Sequence, residues 1–293
     1  MSTIEIRNLH KTYKGKRRNQ VRALTDLNLT VEQGEVFGFL GPNGAGKSTT
    51  IKILTGQIAP TKGLALINGV PVTNPSARSS LGYLPENPAF YQFLTAEEYL
   101  FFVGRIQQMD ASAIRAAAQR VLGLLELDHA ARRPIKGYSK GMVQRLGLAQ
   151  ALLHDPDLLI FDEPMSGLDP VGRALVKKII KQLKQEGKTV FFSTHITTDV
   201  EEVCDRVAVL VNGRLQALEA VDTLLQKGIE GYRIFGRMPG AEASQRLVSP
   251  SELKTTLENL LQTDFQVERI EPVRQNLEDF FLATIKDSPN ADR

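Results

Sequence analysis

The segment Gly41-Pro-Asn-Gly-Ala-Gly-Lys-Ser48 has the spacing G-x-x-x-x-G-K-[ST], and each residue type in it has a use at a phosphate. Gly41, Gly44 and Gly46, with Pro42, Asn43 and Ala45 between them, let the backbone wrap closely enough for its N–H groups to face phosphate oxygens. The apolar run Val36–Leu40 before it reads as a strand, and Thr49 onward reads as a helix whose N-terminus adds partial positive charge. Lys47 is placed to reach the outer phosphates of a nucleotide, and the Ser48 hydroxyl to ligate Mg²⁺. A second constellation ends another apolar run, Leu158-Leu-Ile-Phe-Asp162-Glu163. Asp162 there can hold Mg²⁺ through water, and Glu163 can orient and polarise an attacking water. The alternative reading, in which two neighbouring carboxylates at a strand end simply begin a polar loop, carries less weight. No N-K-x-D guanine-reading segment occurs, which counts against a GTPase.

A third segment decides between the classes that share such a loop. Tyr138-Ser-Lys-Gly-Met142, followed by Gln144-Arg145 and a helical run to Leu153, resembles the signature motif of ATP-binding-cassette (ABC) ATPases, Leu-Ser-Gly-Gly-Gln in its common form. Ser166-Gly-Leu-Asp169 is similar to that family's D-loop, and His195 to its switch histidine. Tyr13 stands where the family places an aromatic residue under adenine, although a turn aromatic packed on a sheet reads the same way. Order and spacing agree over roughly residues 3–220. Two positions depart from the common pattern. Glu86 stands where most members have glutamine, and Lys140 and Met142 replace a glycine and a glutamine of the signature.

The resemblance implies a P-loop α/β fold of the ABC ATPase type: a β-rich N-terminal subdomain, a mixed core sheet flanked by helices, and a helical subdomain over about 87–155. It implies ATP and Mg²⁺ as ligands, with Ser48, Asp162 and Glu86 at the metal. It further implies a head-to-tail homodimer in which Ser139 and Gly141 of one copy meet the nucleotide held by Lys47 of the other. Asp169 then couples the two sites across the interface. Glu163 and His195 are the residues expected to handle the attacking water and the γ-phosphate. The motor is expected to drive an integral membrane permease carried on a separate chain. The segment Ile270–Leu282 resembles the ending of exporter-type subunits, so export is the leading expectation. An importer ATPase and a soluble member acting on translation or DNA are the alternatives.

The elements that position these residues follow from hydropathy period. Residues 4–31 read as β-rich around a basic loop at 14–19, with Leu27, Leu29 and Val31 on one strand face. Val190–Ser193 and Val207–Val211 read as further buried strands, and Asn212-Gly213 as a hairpin turn into Arg214–Leu218. Leu175, Val176, Ile179, Ile180 and Leu183 form a helical stripe, and Lys177, Lys178, Lys181 and Lys184 read as its solvated face. Residues 94–127 read as helical, with Asp110 as an N-cap. The Gly-rich stretch Gly228–Gly240 reads as a linker, so the nucleotide-binding domain is set at 1–230 and a small α+β appendage at 231–293. In the segment after Glu86, the aromatics Phe90, Tyr91 and Phe93 suit either a partner's apolar groove or the core of the helical subdomain.

Composition closes off other classes. The chain has 293 residues, 42% hydrophobic and 24% charged, which excludes fibrous or wholly disordered behaviour. Its 36 Lys plus Arg against 33 Asp plus Glu leave a charge of +3, too little for a nucleic-acid footprint. The single cysteine, Cys204, fits a reducing compartment. No apolar run reaches the ~18 residues of a membrane span. The start lacks a secretory pattern. The expected place is cytoplasmic, peripheral at the inner face of the cell membrane.

Overall fold

The computed structural model describes residues 2–14, 20–227, 229–240, 243–274 and 277–286. The basic loop at 15–19, Gly228, and Gln275-Asn276 of the tail segment lie outside the described residues. The chain divides into two compact units, Met1–Leu218 and Glu219–Asp287.

The first unit contains two sheets. Strands β1 (Ser2–Lys14), β2 (Gln20–Glu32), β4 (Lys62–Ile67) and β5 (Val70–Pro71) form an antiparallel sheet in the order β2-β1-β4-β5. Strands β3 (Val36–Leu40), β6 (Leu81–Leu84), β7 (Leu158–Asp162), β8 (Thr189–Thr194), β9 (Arg206–Val211) and β10 (Arg214–Ala220) form the second, in the order β10-β9-β3-β8-β7-β6. Pairing in it is parallel between β3 and β8, β3 and β9, β6 and β7, and β7 and β8. The turn between β9 and β10 holds Asn212 at φ 50 and Gly213 at φ 74, the geometry a two-residue hairpin requires.

Alternation along the parallel strands divides the core between the two faces of this sheet. Phe37, Phe39, Leu158, Ile160 and Phe191 face the antiparallel sheet and helix α1 (Lys47–Leu54). Val36, Leu159, Phe161, Val190 and Phe192 face the helical side. The Phe37 and Phe191 rings stack at 5.6 Å between centroids. Each such fully buried ring contributes roughly 1.5–3 kcal/mol relative to exposure. Five neighbouring strand ends are thereby held rigidly at one edge, which is what a site built from strand ends needs.

The helical side comprises α2 (Ala96–Ile106), α3 (Ala111–Leu124), α4 (Lys140–Leu152), α5 (Pro170–Gln185) and α6 (Thr197–Val203). Thr95 and Glu98 close a capping box at the start of α2. Asp110 takes the N-cap position of α3 as expected from the sequence, but its side chain makes no capping bond. The lysine row of α5 is only partly a solvated face. Lys177 pairs with Glu202 at 2.6 Å and Lys184 pairs with Asp205, because α6 and the turn after it lie alongside.

The second unit corrects the expected linker. Ile229–Arg237 is strand β11, the centre of an antiparallel sheet ordered β12-β11-β13 with β12 (Ser244–Val248) and β13 (Gln266–Arg274). The glycines there serve close strand approach: a Cβ on Gly231 would stand 2.7 Å from the Val248 carbonyl, and one on Gly236 2.3 Å from that of Gln266. Helices α7 (Val221–Lys227), α8 (Leu253–Leu261) and α9 (Leu277–Lys286) complete the unit. With α7 and β11 inside it, the division falls at Leu218/Glu219, earlier than the boundary at 230 read from glycine spacing.

Candidate active site

The loop after β3 is shaped by its glycines. Gly44 has φ 81 and Gly46 φ 109, and a Cβ on Gly46 would stand 2.7 Å from the Ala23 carbonyl oxygen and 2.8 Å from Leu24. Only glycine meets both demands at Gly46. Gly46 is also the cap residue of α1 and supplies no side-chain cap, so the first N–H groups of the helix remain available to an anion. The loop is anchored from behind: Gly41 N–H donates to Thr194 O at 3.3 Å and Gly213 N–H to Ala45 O at 2.8 Å. Residues Pro42–Thr49 line a cleft of about 360 Å³ together with Ala23, Glu86 and Glu163.

Lys47 is 6% exposed and curls onto its own loop. Its Nζ donates to Gly41 O at 2.6 Å and to Pro42 O at 3.3 Å, and lies 3.5 Å from Glu163 Oε1. The other Glu163 oxygen, Oε2, is 3.0 Å from His195 Nδ1. An ionised carboxylate only accepts, so Nδ1–H is the donor and Nε2 faces away from that bond. The histidine is half exposed, while Glu163 is buried.

Glu163 has φ 50, a left-handed backbone that costs a non-glycine residue about 1–2 kcal/mol. Its neighbours over-determine that conformation. Its N–H donates to Ser193 Oγ at 3.0 Å, and its carbonyl accepts from Ser166 N–H at 3.0 Å and Gln144 Nε2 at 3.4 Å. The carboxylate is thus turned into the cleft by a strained residue that α4, β8 and the following loop all hold.

Ser193 also donates to Asp162 Oδ1 at 2.6 Å, and Ser48 Oγ donates to the same oxygen at 3.4 Å. Parallel register makes this possible, since Asp162 and Ser193 are paired residues of β7 and β8. Ser193 was not among the site residues expected from sequence. Its signal is a lone hydroxyl closing the apolar run Val190–Phe192, at the end where the other chemistry collects. The Ser48 hydroxyl and the Asp162 carboxylate are hard oxygen donors side by side, and they fit Mg²⁺, which fills its remaining positions with phosphate oxygens and water. Glu86 lines the same cleft and is exposed.

The structure therefore brings Lys47, Ser48, Asp162, Glu163 and His195 together, with Glu86 at the cleft wall. It does not bring Tyr13, Ser139, Gly141 or Asp169 to that cleft. Tyr13 is 38% exposed, with Lys11 Nζ 5.1 Å from its ring centroid. Ser139 caps α4, accepting from Met142 N–H at 3.2 Å. Gly141 lies in the first turn of α4, and a Cβ there would meet only Leu168 at an ordinary 3.5 Å. Neither backbone angle nor packing within the chain demands glycine at 141. Lys140, the departure in the signature, lies across the D-loop, because a Cβ on Gly167 would stand 2.7 Å from its Nζ. Asp169 caps α5, its Oδ1 accepting from Gly172 N–H at 2.8 Å, with Pro170 at the first helical position.

Comparison with known proteins agrees with this geometry. Residues 24–166 match the family model described as ABC transporter. An ABC transporter ATP-binding protein of Synechocystis sp. is 37% identical over 98% of this chain and 85% of its own length. The YxlF ABC transporter ATP-binding protein of Bacillus subtilis is 34% identical over 96% and 99%. A solved ATP-binding cassette described as a dimer in a post-hydrolysis state with ADP and Pi superposes with a TM-score of 0.69 at 26% identity, covering 74% of this chain and 98% of that one. With the Synechocystis and Bacillus proteins similar to it along nearly its full length, the chain belongs to the ABC transporter family as an ATP-binding, ATP-hydrolysing subunit.

Proposed function

We propose that two copies of this chain close head to tail on two ATP molecules, and that hydrolysis reopens them to drive an exporter-type permease on a separate chain. The observation that carries the reading is the split between the two sets of residues. Lys47, Glu163, Asp162 and His195 gather at one cleft, while Ser139 and Gly141 begin a helix away from it, with a glycine that this chain's own packing does not require. A residue kept small for no internal reason leaves room for something external. A helix start is where an anionic phosphoryl group binds favourably. The ATP-binding cassettes of similar fold described as dimers add support.

On this reading ATP arrival draws Lys47 from the Gly41 and Pro42 carbonyls to the outer phosphates. Ser48 and Asp162 would hold Mg²⁺, which would supply neutralisation of the negative charge on the phosphates. Glu163, freed from Lys47, orients the attacking water and accepts its proton, and His195 hydrogen-bonds the γ-phosphoryl group. That group gives ATP its preference for the closed dimer over ADP. The export direction rests on the Ile270–Leu282 segment, and Tyr91 and Phe93 supply a docking surface for the permease. No helix among the described residues is long and apolar enough to cross a membrane, which suits a peripheral subunit at the inner face.

Size-exclusion chromatography of Glu163→Gln with Mg-ATP tests the dimer, expected to accumulate with turnover nearly abolished. A monomer with undiminished turnover sinks the assignment. Export is tested by identifying the co-purifying membrane chain; an accompanying solute-binding protein would turn the reading to import.

A further inference from the structure

Asp199, in the first turn of α6, is a fully buried carboxylate that the mechanism above leaves unused. Arg173 of α5 donates from Nη2 to both of its oxygens, at 2.9 and 3.0 Å, and Lys177 Nζ stands 3.8 Å from Oδ1. A carboxylate withdrawn from water in this way persists only with charged, hydrogen-bonded partners.

The places of the two partners in the chain carry more meaning than the strength of the bond. Arg173 lies one turn into α5, and its N–H donates to the carbonyl of Asp169, the residue that caps that helix. Asp199 lies one turn beyond His195, on a helix whose Val200 and Val203 are buried. His195 meets Glu163 Oε2, and Ser166 N–H returns to the Glu163 carbonyl. Contacts and chain together close a ring: Glu163 meets His195, the chain runs on to Asp199, Arg173 bridges Asp199 to Asp169, and the chain runs back from Asp169 to Ser166, which returns to Glu163. Two ends of this ring face events that must be synchronised, the approach of a second copy at Asp169 and the state of the γ-phosphate at His195.

We infer that Arg173 and Asp199 are positioning residues for hydrolysis: the pair fixes α6 against α5 so that the placement of Asp169 sets the placement of His195 against Glu163. The inference rests on the roles proposed above for Glu163 and His195. Arg173 is partly exposed and Lys177 stands ready to cover the Asp199 charge, so replacing the arginine leaves a foldable chain.

The test uses the full-length chain with Mg-ATP, measuring kcat, KM and thermal midpoint for Arg173→Gln and Arg173→Lys, alone and with His195→Ala. Slow variants are followed by single-turnover hydrolysis of labelled ATP. Arg173→Gln is expected to lower kcat on the order of tenfold while KM for ATP moves less than about twofold. Arg173→Lys, which keeps the charge, is expected to recover much of the loss. With His195→Ala already present, Arg173→Gln is expected to cost less than about a further twofold, because residues acting through one another are non-additive. Equal losses in both backgrounds, or an unaltered kcat in Arg173→Gln, overturn the inference while leaving the catalytic reading intact. Full turnover in His195→Ala alone removes that catalytic reading, and this inference with it.

Discussion

At the scale of single residues, the site is a set of shared oxygens. Asp162 Oδ1 accepts from both Ser48 and Ser193, and Ser193 in turn accepts from the Glu163 N–H. One hydroxyl therefore ties the Asp162 carboxylate to the Glu163 backbone. Ser193→Ala is expected to lower kcat by about 10- to 100-fold, the equivalent of a lost hydrogen bond to a charged group at about 1.5–3 kcal/mol. The half-saturating Mg²⁺ concentration is expected to rise in the same variant, while nucleotide binding without metal stays as it was. A Mg²⁺ titration of ATPase rate, set beside fluorescent nucleotide binding in chelator, reads both. If the metal requirement does not move, Ser193 does not orient Asp162. These carboxylates were readable from sequence because their types and adjacency are specific. Ser193 was not, because its meaning comes from strand register, and nothing in Val190–Ser193 says which neighbour will lie beside it.

At the scale of elements, α4 carries two contrasting ends. Its start has Gly141, where added volume meets open space but for Leu168. Gly141→Val is expected to fold and bind ATP as a monomer yet fail to dimerise and hydrolyse, whereas Gly46→Val, crowded by Ala23 and Leu24, is expected to lose binding itself. Equilibrium binding and light scattering on the two variants separate the cases, and a dimerising Gly141→Val would count against the shared site. Just beyond the other end stands His154, whose ring nitrogens are both buried. Burial pushes its pKa below the ordinary histidine value, against weaker upward pulls from the Leu81 backbone and Asp155. The unfolded chain thus takes up the proton more readily than the folded one. His154 contributes stability that is full above about pH 6.5 and declines as pH falls through that value toward its lower folded pKa. Denaturant midpoints between pH 7.5 and 5 are expected to fall less steeply for His154→Leu than for the parent chain; parallel slopes would show that this imidazole is not the sensor.

At the scale of the whole molecule, apolar surface divides between core and solvent. Phe90 packs edge-on against Tyr99 at 4.8 Å and joins the helical core, whereas Tyr91 and Phe93 are 55% and 74% exposed and lie near each other and Phe102. The segment Phe90–Phe93 suits both readings in the sequence; the structure packs Phe90 into the core and leaves Tyr91 and Phe93 exposed. Tyr91→Ser with Phe93→Ser is expected to leave the basal ATPase of the isolated chain unchanged and to abolish co-purification with the permease. Retained co-purification would move the docking surface elsewhere. The same scale shows where sequence reading failed. Strands β3, β7, β8 and β9 are apolar runs bounded by turns and read directly from the sequence, whereas β4, β5 and β6 draw no expectation there. Strand β11, Ile229–Arg237, contains Gly231 and Gly236 and reads as a linker, because glycines that admit a neighbouring backbone look the same in one dimension as glycines that loosen a chain.

Glu163 is held at both of its carboxylate oxygens. One carboxylate oxygen faces the Lys47 ammonium and the other the His195 ring, so both oxygens are engaged within the chain. On the proposed mechanism, the outer phosphates of a triphosphate compete with Glu163 for Lys47, and its γ-phosphoryl group competes for His195. Loading the cleft and releasing the base are then one event rather than two.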